Sequence, residues 1–157
     1  MNASLRPEIT RSIEIYAAFL NRNRIPVPKT HAVLGSGIGS SFTDAWIPKT
    51  WESVGELEFR DLPAISAATA PGHAGISRFF RERATENVLC LQVGRLHGSE
   101  GLTPEDATLS VMVPRLAGTE NFILTNAAGG LKFEWPVGSI MMIRDHVNFT
   151  GQNPLVG

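Results

Sequence analysis

Hydrophobic and polar positions change rhythm several times along the chain. Over residues 7–23 the apolar side chains Ile9, Ile13, Tyr16, Ala17 and Leu20 recur at three- and four-residue intervals, which predicts a helix with one buried face. Pro7 suits its first turn, Arg11, Glu14, Asn21 and Arg22 fall on the solvated side, and Pro26 and Pro28 are expected to stop it. The run His31-Ala32-Val33-Leu34 predicts a short strand, and residues 46–62, with Trp51, Val54, Leu57 and Phe59 among acidic residues, a strand of loose limits plus loops. Residues 76–82 and 88–93 read as two strands joined by the polar turn 83–87. Thr103 then caps a helix that has Pro104 in its first turn and Glu105 and Asp106 near the positive end of its dipole. That helix is expected to end at Gly118 and to turn Val111 and Leu116 toward a sheet, and residues 122–125 (Phe-Ile-Leu-Thr) predict a short buried strand.

Strand, helix and strand in this order are what a parallel α/β sheet requires, and such sheets hold ligands beyond the carboxyl ends of their strands. Three predicted strand ends carry suitable residues. Gly35-Ser36-Gly37 lets backbone approach an anion closely while Ser36 donates from its hydroxyl. Arg95 and His97, two apart in extended chain, project to one side, where the guanidinium fork suits phosphate; Arg95 can equally pair with Glu100. Asn126-Ala127-Ala128-Gly129-Gly130 exposes backbone N–H groups, either as a simple turn or as the floor of an anion site. In the stiff loop around His73, a proline and two glycines could present the imidazole at a fixed angle or leave it as an ordinary surface residue. A dinucleotide fingerprint would place a third glycine or alanine where Ser40 stands, and no Gly-Lys-Ser or Gly-Lys-Thr completes a Walker loop.

Composition narrows the partners. With 157 residues, 43% hydrophobic and 18% charged, the chain is expected to form one globular α/β domain over residues 1–157. A net charge of −1 without like-charged blocks argues against nucleic acid or an anionic membrane as the main partner. Cys90 stands alone inside an apolar run and is expected to be a small buried side chain. No apolar run approaches the roughly 20 residues of a membrane span, and the first residues have no apolar signal core, so a cytoplasmic location is expected.

The motifs LGSGIG, PGHAG, QVGRLHGSEG, TNAAGGL and IMMIRDHVNF followed by GQNPLVG resemble, in order and spacing, those of the trimeric purine nucleoside phosphorylases, specifically the N-terminal half of that family. The resemblance implies a nucleoside phosphorylase-like mixed, largely parallel twisted sheet flanked by helices. It also implies reversible phosphorolysis of a purine nucleoside such as inosine or guanosine to the base and ribose 1-phosphate, with no metal or organic cofactor and inorganic phosphate as co-substrate. Carried over by motif, Ser36, His73, Arg95, His97 and the Ala127 backbone N–H would cradle phosphate. Ser99, Asn126, Ala127 and Gly129 would lie along the nucleoside, and His97 and Asn126 would act at the reacting sugar. A homotrimer is implied as well.

Two departures accompany the resemblance. Ser99, after Gly98, stands where the family commonly has an aromatic ring over the sugar, which implies weaker nucleoside binding or a rearranged lid. The family also continues beyond the segment resembling residues 152–157, into the part that reads the purine. A chain truncated there would leave a strand over residues 140–147 without its usual neighbours, and would be a shortened gene product, a fragment needing a second chain, or a short protein with another role. A non-catalytic phosphate- or nucleoside-binding remnant, or an inactive fragment, is the alternative to an enzyme. Within the enzymes the alternative is a methylthioadenosine phosphorylase, which Asn126 in TNAAGGL disfavours.

Overall fold

In the computed structural model, which describes residues 5–35, 37–65, 75–96 and 98–154, helix α1 (Pro7–Arg22) comes first, with Pro7 in its opening turn. Ile9, Ser12, Tyr16, Phe19 and Leu20 are buried along one stripe, and Arg11 pairs with Glu14 at 3.2 Å on the solvated side. The helix stops before the prolines. Arg24 takes a left-handed φ of 55°, and the Ile25 N–H reaches back to the Leu20 carbonyl at 2.8 Å, so a chain reversal ends the helix before Pro26 and Pro28 are reached.

The sheet is mixed, in the order β2-β3-β4-β1-β5. β1 (Thr30–Leu34) lies between β4 (Val88–Val93) and β5 (Asn121–Leu124), parallel to both, with Leu34 opposite Val93 and Val33 opposite Leu124. β2 (Trp51–Glu58) and β3 (Ile76–Glu82) extend the sheet antiparallel beyond β4. The β3–β4 hairpin has the limits the sequence predicts, 76–82 and 88–93 about the polar turn 83–87. Helix α3 (Pro104–Leu116) carries the chain from β4 across β1 to β5. Its start is as expected: Thr103 accepts from the Asp106 N–H at 3.1 Å, a cap worth about 1 kcal/mol. Arg6 donates to Asp106 Oδ1 at 2.7 Å and the Thr103 hydroxyl to Asp106 Oδ2 at 2.8 Å, and these two bonds hold the Asp106 carboxyl below its ordinary range.

α1 and α3 pack on one face of the sheet, where Tyr16, Phe19, Leu109 and Val113 meet Leu57, Phe79, Val88 and Cys90. Cys90 is fully buried, and desolvation pushes its thiol up to about 12, which keeps it an unreactive packing group. The opposite face, built on Ala32, Leu34, Phe80, Leu91 and Val93, is covered by Phe42 and Ile47 from the segment that follows the four-residue helix α2 (Ile38–Ser41).

Three expectations change. Leu116 is 46% exposed, because the buried stripe of α3 runs through Leu109, Ser110, Val113 and Pro114, and Leu116 lies at its edge. β5 is an edge strand rather than a buried one: Phe122 is half-buried, but Ile123 and Leu124 are 53% and 65% exposed, since β5 pairs only with β1 among the described residues. Residues 140–147 form no strand. With no described ladder partner, Ile140 and Met142 stand 100% and 88% exposed, and their apolar composition alone does not make a strand. Among the described residues no helix is long and apolar enough to cross a membrane.

Candidate functional site

The parallel register of β4, β1 and β5 brings three carboxyl ends to one edge of the sheet. Gly35 follows β1, Gly94 and Arg95 follow β4, and Thr125 and Asn126 follow β5. The β1 and β5 ends are in direct contact. The Gly35 N–H donates to Thr125 Oγ1 at 2.9 Å, while Thr125 donates to the Val33 carbonyl through its hydroxyl at 2.9 Å and its own N–H at 3.1 Å. A β-carbon on Gly35 would lie 2.3 Å from the Thr125 carbonyl oxygen. α2 closes over the β1 and β4 ends, where a β-carbon on Gly39 would come within 3.1 Å of the Leu34 carbonyl and 3.4 Å of the Gly94 nitrogen. Gly37, at the start of α2, has φ of 84°, a conformation that needs glycine.

Of the residues that the motifs single out, Arg95 sits half-buried at the end of β4, just after Gly94 turns the chain with φ of 95°. Asn126, Ala127 and Gly129 follow β5 and are exposed, Asn126 Nδ2 donating to the Ala127 carbonyl at 3.1 Å. A β-carbon on Gly129 would meet nothing within 4 Å. Ser99 lies in the short 3₁₀ turn Gly98–Glu100. Ser36, His73 and His97 lie outside the described residues, as do residues 155–157. A cavity of about 260 Å³ opens between the strand ends and α3, bordered by Gln92, Arg95, Ser110, Leu124 and Thr125 among others. A larger opening of about 600 Å³ is lined by residues 141–145 alone and gathers no groups from the strand ends.

Beneath this edge lies a buried polar pair that motif reading passed over. His31 and Gln92 are both 0% exposed, and His31 Nε2 lies 2.9 Å from Gln92 Oε1. Gln92 Nε2 donates to the Gly94 carbonyl at 3.0 Å and to Ser110 Oγ at 3.2 Å. With both amide hydrogens so used, Oε1 must accept, which places the imidazole proton on Nε2. The signal was visible as one polar residue in each of two apolar strands, but nothing local joins residues 61 apart.

Burial lowers the His31 pKa from its ordinary value of 6.5, with the Gln92 hydrogen bond opposing. Between the lowered folded value and 6.5 the unfolded chain binds the proton that the folded chain refuses. The stability His31 supports is therefore complete above about pH 6.5 and declines as pH falls toward the folded value. Urea unfolding at pH 7.5 and pH 5.5 is expected to show this loss in the parent and a smaller one in His31→Asn, which keeps an N–H donor without the titration. Equal losses in the two proteins would assign the acid sensitivity elsewhere.

Residues 53–157 match the family model of the phosphorylase superfamily. The chain is 38% identical over 145 residues to purine nucleoside phosphorylase 1 of Bacillus subtilis, which covers 92% of this chain and 51% of that protein. It is 36% identical over 133 residues to the purine nucleoside phosphorylase of Bos taurus, covering 83% of this chain and 43% of the relative. For the purine nucleoside phosphorylase of Saccharomyces cerevisiae the figures are 33% over 165 residues, 97% and 50%. The chain thus spans about half the length of the curated relatives it matches.

Proposed function

The chain belongs to the phosphorylase superfamily, and on that premise we propose that its strand-end crevice is the phosphate and ribose side of a purine nucleoside phosphorylase site. The observation that carries the reading is the junction of Gly35 with Thr125 beside Arg95, which gathers the glycine-rich turn, the arginine and the Asn-Ala-Ala-Gly-Gly floor at one sheet edge. The relatives' names supply the reaction. Arg95, with Ser36, His73, His97 and the Ala127 N–H, holds phosphate beneath C1′ of a nucleoside lying over Asn126, Ala127, Gly129 and Ser99. His97 and Asn126 act next to the sugar.

Phosphorolysis needs little covalent help from such a site. Phosphate is held in line while the glycosidic bond lengthens; its negative charge stabilises the oxocarbenium-like sugar, and the purine departs with the bonding pair as phosphate oxygen joins C1′. The reading calls on phosphate alone as co-substrate. Assembly as a homotrimer is part of the same proposal.

A second reading keeps the strand-end cradle and drops the turnover: a phosphate- or nucleoside-binding protein, which the Gly35–Thr125 junction and the half-buried Arg95 would serve equally. One assay separates the two: purified chain at high concentration is incubated with inosine, with and without phosphate, and hypoxanthine is measured. Phosphate-dependent release supports the enzyme; its absence in a folded chain that phosphate protects against heat supports the binding protein. Phosphate at 100 times its Kd should add about 2.7 kcal/mol of stability. Arg95→Ala is expected to abolish that protection, and an unchanged shift would sink the cradle under either reading.

A further inference from the structure

The buried amide of Gln92 touches both the strand end and α3, and neither contact is explained by packing. Its neighbours on that face, Val88, Cys90, Leu109 and Val113, are apolar or thiol groups, and a buried carboxamide is tolerated there only because its hydrogen bonds are made. One acceptor of those bonds is the carbonyl of Gly94, the residue whose left-handed φ of 95° turns the chain out of β4 immediately before Arg95. A second is Ser110 Oγ, itself 5% exposed on α3. The amide is oriented from behind by His31 Nε2.

We propose that Gln92 is a positioning residue: its carboxamide, oriented by His31, pins the Gly94 carbonyl to α3 through Ser110 and so sets the direction in which Arg95 enters the crevice. This rests on the reading of Arg95 as a phosphate ligand. The physical reason is short leverage. A glycine at the hinge has a wide choice of φ and ψ, and the Gln92 bond to its carbonyl removes most of that choice one residue before the guanidinium. A charge-assisted bond to phosphate depends on that aim, and losing it costs about the 1.4 kcal/mol that corresponds to a tenfold loss of affinity.

The test compares phosphate dissociation constants, by calorimetry on the full chain, for the parent, Gln92→Met, Ser110→Ala and Val113→Ala. Val113 is 0% exposed in the same core but outside the network, so its truncation lowers stability without touching the hinge. Gln92→Met is expected to bind roughly tenfold more weakly and Ser110→Ala roughly threefold more weakly, with Val113→Ala equal to the parent. In ¹H–¹⁵N spectra the Arg95 Nε–H signal should shift on phosphate addition in the parent and in Val113→Ala, and not in Gln92→Met. Parent-like affinity in Gln92→Met, or equal weakening in Val113→Ala, overturns the positioning role. Should Gln92→Met fail to fold, parent-like affinity in Ser110→Ala overturns it instead. A parent that binds no phosphate removes the Arg95 reading first and this role with it, an outcome distinct from the others.

Discussion

Gly35→Ala is expected to lower the unfolding temperature by roughly 6 to 12 °C and to abolish any protection by phosphate, on a loss of about 3 kcal/mol. The new β-carbon would lie 2.3 Å from the Thr125 carbonyl oxygen and 3.0 Å from both the Thr125 carbonyl carbon and Asn126 Cα. All three atoms are backbone, so no side-chain rotation relieves the overlap. Moving β1 away breaks the Gly35–Thr125 bond at 2.9 Å; moving β5 breaks the two bonds from Thr125 to the Val33 carbonyl. Either shift separates the glycine-rich turn from the Asn126 floor. Gly37→Ala serves as the comparison, since a β-carbon there meets nothing within 4 Å and only the backbone, with φ of 84° and ψ of −46°, is unfavourable; it should cost about 1 to 3 kcal/mol without parting β1 from β5. Thermal unfolding with and without phosphate reads both effects, and a parent-like midpoint for Gly35→Ala would refute the described junction.

Phe79→Ala should cost about 3 to 5 kcal/mol, a large share of the 5 to 15 kcal/mol that stabilises a typical domain. Phe79 is 0% exposed on β3, and its ring lies 5.4 Å from that of Phe19 and 6.0 Å from that of Tyr16, both on α1. Removing it empties the space between that helix and the sheet, and α1 cannot follow inward because Leu20, Leu57 and Cys90 already fill the surroundings. Phe79→Leu, which leaves a smaller void, should lose less than half as much. Urea titration provides the readout: a lower midpoint at unchanged slope is the expected pattern. A loss under 1 kcal/mol for Phe79→Ala would mean that α1 is not held by this ring cluster.

Much of the fold was legible because its signals are local. The apolar and aromatic runs over residues 76–82 and 88–93, with the polar turn between them, located both arms of the β3–β4 hairpin, and Pro7 and Thr103 marked where the two long helices start. The matched superfamily agrees with the motif resemblance. Burial was less legible. Phe122 to Leu124 reads like a core strand, yet β5 ends the described sheet, and an edge strand keeps one side open however apolar it is. Residues 140–147 carry strand-like composition, but a ladder needs a partner backbone, and none of the described residues supplies one. The site was read as three strand-end motifs and the His73 loop; the His31–Gln92 pair that underlies one of them was not, since each residue alone resembles an isolated polar intrusion.

The sequence by itself determined the two long helices and the five strands in their order, the glycine turns, the arginine at a strand end and the superfamily, because periodicity, capping and motif spacing are properties of neighbours along the chain. Only the tertiary structure decided that β1 lies between β4 and β5, and therefore that Gly35 touches Thr125 and that Gln92 meets His31. Contacts between residues 61 and 90 positions apart depend on sheet order and register, and a shift of one residue in either would turn those side chains to the other face.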